Sequence, residues 1–164
     1  MLPVRSQRDE RLNVLLSDGE EAWARHLPNL LEPQGVRAIR VHSVRHAMDV
    51  IESEPIHVAV VDLGLPVEPG EMRVDVVRRR PGTEVDATKP GALKLVQVMR
   101  RLEPSPPTVI VRGRLFDRRV DDRLLREALT LNVFSVLDQP VDMEQMLQVL
   151  RRVLERHYDG GWPT

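Results

Sequence analysis

The chain has no cysteine, which excludes disulfide staples, thiolate metal sites and cysteine nucleophiles together. Aromatic residues make up 3% of it, too few for a platform on which the bases of a nucleic-acid single strand would stack. Lysine is also scarce: Lys89 and Lys94 are the only ones, and arginine carries nearly all the positive charge. We read that bias as composition rather than mechanism. Neither sign of charge dominates, and the formal net charge is −1. No global field therefore draws the chain to nucleic acid or to an anionic membrane, and neither is expected as a partner. Residues 1–10 are polar and charged, without the apolar centre of a signal peptide. No hydrophobic run approaches the length that spans a bilayer. These absences together lead us to expect a cytoplasmic protein.

What is present suits one globular domain with a full core: 164 residues, of which 41% are hydrophobic and 30% charged. Short apolar runs recur along the chain. Leu12-Asn13-Val14-Leu15-Leu16 stops at Ser17-Asp18-Gly19, and residues 36–41 alternate apolar and polar as a half-buried or edge strand would. Val58-Ala59-Val60-Val61 stops at Asp62, and Thr108-Val109-Ile110-Val111 stops at Arg112-Gly113. A weaker run over 133–137 stops at Asp138-Gln139-Pro140. Continuous β-branched runs of this length suit strands buried on both faces of a parallel sheet.

Helical patterns fill the intervals. Residues 20–31 place Trp23, Leu27, Leu30 and Leu31 on one face, with Pro28 expected to kink or end the helix. Residues 43–53 open on Ser43 as an N-cap and carry Ala47, Met48, Val50 and Ile51. Residues 91–102 carry Leu95, Val98, Met99 and Leu102, and 118–131 carry Leu124, Leu125, Ala128 and Leu129. Residues 142–158, capped by Asp142, carry Met143, Met146, Leu147, Leu150, Val153 and Leu154. Strand and helix alternate through the chain, which predicts a doubly wound α/β domain over 11–158, a parallel sheet with helices on both faces. Residues 67–90 interrupt the rhythm, as either a small hairpin about Pro81-Gly82 or an irregular loop. Residues 1–10 and 159–164 read as tails.

In such a sheet, ligands sit beyond the carboxyl ends of the strands. The residues there are Asp18, Asp62, Arg112 and Gln139. Two carboxylates ending neighbouring strands repel each other, and a divalent cation or a nearby guanidinium must offset that repulsion. Enzyme signatures are missing: no glycine-rich phosphate loop follows the first strand, and no Gly-x-Ser-x-Gly elbow occurs. Independent turnover is not expected. His26, His42, His46, His57 and His157 show no zinc spacing beyond the His42/His46 pair, which reads as a surface pair. Arg78-Arg79-Arg80, with acidic residues close by, reads as a solvated face.

His57-Val58-Ala59-Val60-Val61-Asp62-Leu63-Gly64-Leu65-Pro66 resembles the strand of response-regulator receiver domains that ends in the phospho-accepting aspartate. Ser17-Asp18 is similar to the acidic pair that holds magnesium in that family, and Gln139-Pro140 to its Lys-Pro turn. Gly91 matches the glycine that opens the third helix. The resemblance implies a CheY-like, flavodoxin-like (βα)5 fold with strand order 2-1-3-4-5 and an insertion between the third strand and third helix. It implies that Asp62 sits at the phosphoacceptor position and that Asp18, Asp62 and the Gly64 carbonyl are the magnesium ligands, if magnesium binds. Departures cut against that chemistry. Ser17 replaces the first carboxylate, Gln139 the lysine, Arg112 the switch hydroxyl and Val136 the switch aromatic. An amide cannot supply the charge of the lysine. Arg112 reads either as reaching Asp62 or Asp18 and neutralising the pocket or as a solvated arginine in a polar loop with Arg114.

The expected function is that of a stand-alone, atypical receiver (a pseudo-receiver) acting in signal transduction through protein–protein contact, with aspartyl phosphorylation impaired or absent. Its partner would be a histidine kinase, another signalling protein or a second copy, met through the 118–158 face or the insertion. The alternative is a working phosphoacceptor in a two-component phosphorelay, with Asp62 phosphorylated and Mg2+ held by Asp18.

Overall fold

The computed structural model describes residues 12–17, 22–65, 91–112, 118–138 and 141–158. Asp18, Gln139, Pro140, the insertion 67–90 and both tails, all singled out in the sequence, lie outside the described residues. Five strands, β1 (Asn13–Ser17), β2 (Arg37–Val41), β3 (Val58–Asp62), β4 (Thr108–Arg112) and β5 (Ser135–Asp138), form one sheet. Every pairing is parallel and the order is β2-β1-β3-β4-β5, as expected. The helices are α1 (Ala22–Leu31), α2 (Val44–Ser53), α3 (Gly91–Arg100), α4 (Arg118–Thr130) and α5 (Met143–His157).

Side-chain alternation divides the strands between two cores. Val14, Leu16, Val58, Val60, Val109, Val111 and Leu137 face α1 and α5, meeting Trp23, Leu27, Leu31, Met146, Leu150 and Val153. Leu15, Ala59, Val61 and Ile110 face the other way, onto Ala47 of α2, Leu95, Val96 and Met99 of α3 and Ala128 of α4. Burial on both faces is why β1 and β3 read as unbroken apolar runs. β2 lies at an edge, with Arg37 and Arg40 exposed and Val41 buried, which is the source of its alternation.

The helix ends follow local chemistry. Ser43 Oγ accepts from His46 N at 3.0 Å, and Asp142 Oδ1 accepts from Glu144 N at 2.9 Å, so both expected caps form. Pro28 lies inside α1 but does not end it. The helix runs on to Leu31 because Trp23, Leu27 and Leu31 anchor its core face, and it then tightens into a short 3-10 turn, Glu32–Gln34. Gly35, at φ 81°, closes that turn in the left-handed region. Two expected core leucines are misplaced by the sequence reading: Leu30 is 44% exposed and Leu129 is 56% exposed. Each lies one residue off the stripe of its helix that meets the sheet. β5 begins at Ser135, two residues later than its apolar run suggests.

A cluster closes the sheet at its amino edge. Asn13 N donates to His57 Nδ1 at 2.9 Å, Asn13 Nδ2 donates to the Pro55 carbonyl at 2.8 Å, and His57 N donates to the Asn13 carbonyl at 2.9 Å. The Tyr158 hydroxyl, just past α5, donates to the His57 carbonyl. Burial pushes the His57 imidazole below its ordinary value of 6.5 and raises the Tyr158 phenol above 10.0.

Candidate functional site: the carboxyl edge of the sheet

β1 and β3 run side by side, with Leu16 opposite Val60. Beyond that register the strands are held by a side chain: Asp62 N donates to Ser17 Oγ at 2.5 Å, and both residues are fully buried. Ser17 shares the face of Leu15, whereas the Asp62 side chain shares the face of Val60. The hydroxyl therefore meets the Asp62 main chain rather than its carboxylate. Where the sequence suggests only a missing acid, the structure has a buried acceptor that pins the end of the central strand.

The Asp62 carboxylate organises the turn that follows. Its Oδ1 accepts from Gly64 N at 2.7 Å, and the Asp62 carbonyl accepts from Leu65 N at 3.1 Å. Leu63 N reaches across to the Val111 carbonyl at 3.0 Å, and the Leu63 and Leu65 side chains are buried in the core beside α3. One carboxylate oxygen is thus engaged in holding the loop that leaves β3, a bond typical of aspartate in turns.

Arg112 ends β4. Among the described residues the carboxylate it pairs with is Asp138, whose Oδ1 accepts from Arg112 Nε at 2.6 Å. The register supplies the reason. Asp62 stands opposite Val111, so Arg112, one residue on, projects from the other face of the sheet. Arg112 and Asp138 are register partners and share that face. The Arg112 side chain is 24% exposed and that of Asp138 66%, so the pair is partly solvated. Val136 is half-buried on the same face and packs on the core of α2, α3 and α4.

A hard dication such as magnesium wants several oxygens and compensating negative charge. From the described residues it would receive the Asp62 carboxylate and the Gly64 carbonyl. The Ser17 hydroxyl is already engaged by the Asp62 N–H, and a second carboxylate would have to come from Asp18. Among the described residues no three His, Asp or Glu side chains gather as a metal site. His42 and His46 stack at 6.5 Å between ring centroids, both exposed, as a surface pair.

An all-parallel sheet of this order, with an aspartate closing its central strand, is the arrangement of the CheY-like receiver domain. Solved receiver domains match the chain over nearly its whole length. A CheY-like receiver domain from Methanospirillum hungatei JF-1 matches with a TM-score of 0.65 at 16% identity, covering 92% of this chain and 99% of that one. The signal receiver domain of an HD domain-containing protein from Pseudomonas fluorescens Pf-5 matches at 0.64 and 19% identity, covering 91% and 98%. A response regulator from Thermotoga maritima matches at 0.61 and 15% identity, covering 88% and 98%. The chain therefore has the receiver-domain fold. No protein-family model and no curated protein matches it by sequence. Among the described residues no helix is long and apolar enough to cross a membrane.

Proposed function

We propose that this chain is an atypical receiver domain that signals by protein–protein contact, with phosphorylation of Asp62 impaired. The observation that carries the reading is the state of Asp62. It is fully buried, and its Oδ1 is engaged by the Gly64 N–H of its own turn. Phosphoryl transfer relies on positioning and on cations that neutralise the charge on the transferred group. Here the cation at the end of β4, Arg112, projects from the opposite face and is drawn to Asp138. Gln139 is uncharged where the resemblance calls for lysine. A nucleophile that is buried and must leave its turn bond attacks an incoming phosphoryl group slowly. The same Arg112–Asp138 bridge ties β4 to β5 at the edge where a receiver would switch, and favours a single arrangement of that edge. This reading assigns no turnover to the chain, and its partner would be a signalling protein.

The test exposes the protein to magnesium and acetyl phosphate and follows intact mass. The expected result is no stoichiometric phosphate adduct over the time in which an active receiver is fully modified. A stoichiometric adduct that disappears in Asp62→Asn overturns the reading and establishes a phosphorelay role instead.

A further inference from the structure

Away from Asp62, toward the amino end of β5, an open pocket of about 350 Å³ lies between the start of that strand and the second half of α5. Phe134, Ser135, Val149, Arg152, Glu155 and Arg156 line it. Val149 is buried and Phe134 half-buried, which gives an apolar floor, and the three charged residues are exposed. Arg152 and Arg156 stand four residues apart on α5, so their like charges lie on one helix face, an arrangement that disfavours the helix when nothing offsets it. Among the described residues neither guanidinium forms an ion pair within 4.0 Å, and Arg156 lies 5.9 Å from the centre of the Phe134 ring. Arg156 also sits in the last turn of α5, where a cation complements the helix dipole, but Arg152 lies a turn too early for that benefit.

Among the described residues β5 is an edge strand whose pairing is with β4. Phe134 N donates to the Thr108 carbonyl at 2.7 Å, so by strand alternation the main-chain groups of Ser135 turn toward the open edge. Apolar floor, twin guanidiniums and open strand edge therefore lie together.

We propose that this pocket anchors an acidic segment of a protein partner, with carboxylates on Arg152 and Arg156 and an apolar side chain between them on Phe134 and Val149. Glu155 in the wall repels a dense polyphosphate, whereas a peptide can space its carboxylates to either side of it. The half-open shape suits a protruding chain better than an enclosed small molecule. The inference rests on the reading that the chain acts through a protein partner, and not on the chemical state of Asp62.

The experiment pans a random peptide library displayed on phage against the whole protein, then measures the enriched peptides by fluorescence anisotropy. The expected consensus has acidic residues flanking an apolar one. Its affinity should fall roughly tenfold or more in R152E/R156E, as when a charge-assisted contact is lost. It should be unchanged in R101E, a control at an exposed arginine just past α3. R152Q/R156Q, which removes charge without reversing it, should weaken binding in the same direction. Loss of the acidic consensus, or binding that R152E/R156E leaves intact, overturns the proposal. A consensus without acids that still binds the chain does so too, yet leaves the protein-partner reading standing. A phosphate adduct on Asp62 overturns the impaired-site reading and leaves the pocket untouched.

Discussion

Replacing Ser17 by alanine removes one oxygen from the molecule, and the structure indicates what that oxygen does. It accepts the Asp62 N–H at 2.5 Å where both residues are fully buried. The β1–β3 register runs to Leu16 and Val60, so the ladder supplies no carbonyl in its place. An N–H left without a partner in the interior costs about 1–3 kcal/mol, against a total stability of roughly 5–15 kcal/mol for a domain. Taking about 2 kcal/mol as the central value, Ser17→Ala should lower the melting temperature by roughly 4–8 °C for a chain of this size. With a urea m-value of about 2 kcal/mol/M, it should move the unfolding midpoint by about 1 M. The assay is equilibrium urea unfolding followed by far-UV circular dichroism. Ser53→Ala is the control, because the Ser53 hydroxyl bonds within its own exposed helix turn; its stability should stay within about 0.5 kcal/mol of the parent. If Ser17→Ala is as stable as Ser53→Ala, the Asp62 N–H has another partner, and the hydroxyl does not pin the central strand.

Other perturbations address the two cores and the amino edge. Leu15→Ala, at a fully buried position between the strands and α2 and α3, should cost about 2–5 kcal/mol by urea unfolding, whereas Leu129→Ala should change stability by no more than about 0.5 kcal/mol. Equal effects at the two positions would contradict the placement of Leu129 off the core stripe of α4. His57 must be neutral at Nδ1 to accept from Asn13 N, and burial holds its folded value below the ordinary 6.5. The neutral form is the one that folding favours, so its contribution is fully present above pH 6.5 and is lost as pH falls through the lowered folded value. Urea midpoints taken from pH 8 down to pH 5 should decline more steeply in the parent than in His57→Gln; parallel profiles would remove His57 from the amino-edge clamp.

Much of the architecture was legible from local patterns. The runs that became β1, β3 and β4 are apolar because both faces of a central parallel strand are buried, and periodicity records burial directly. Ser43 and Asp142 declared themselves as caps because capping is settled within three residues of chain. Asp62 at the end of the central strand was visible for the same reason: strand, turn and acid are contiguous. The end of β4 at Arg112 was legible too, but its bridge to Asp138 was not, since a residue's face depends on register with a neighbouring strand. The role of Ser17 was missed, because its partner lies 45 residues away and is a main-chain N–H that no motif marks.

The sequence alone determined the kind of domain, the alternation of strand and helix and the acidic end of β3, because each is written in neighbouring residues. Tertiary structure decided which side chains meet. It sent Arg112 to Asp138, joined Tyr158 to His57 across 101 residues, and set Phe134 beside Arg156. Such contacts depend on strand register and helix rotation, and those are settled only when the sheet and both its covering layers assemble together.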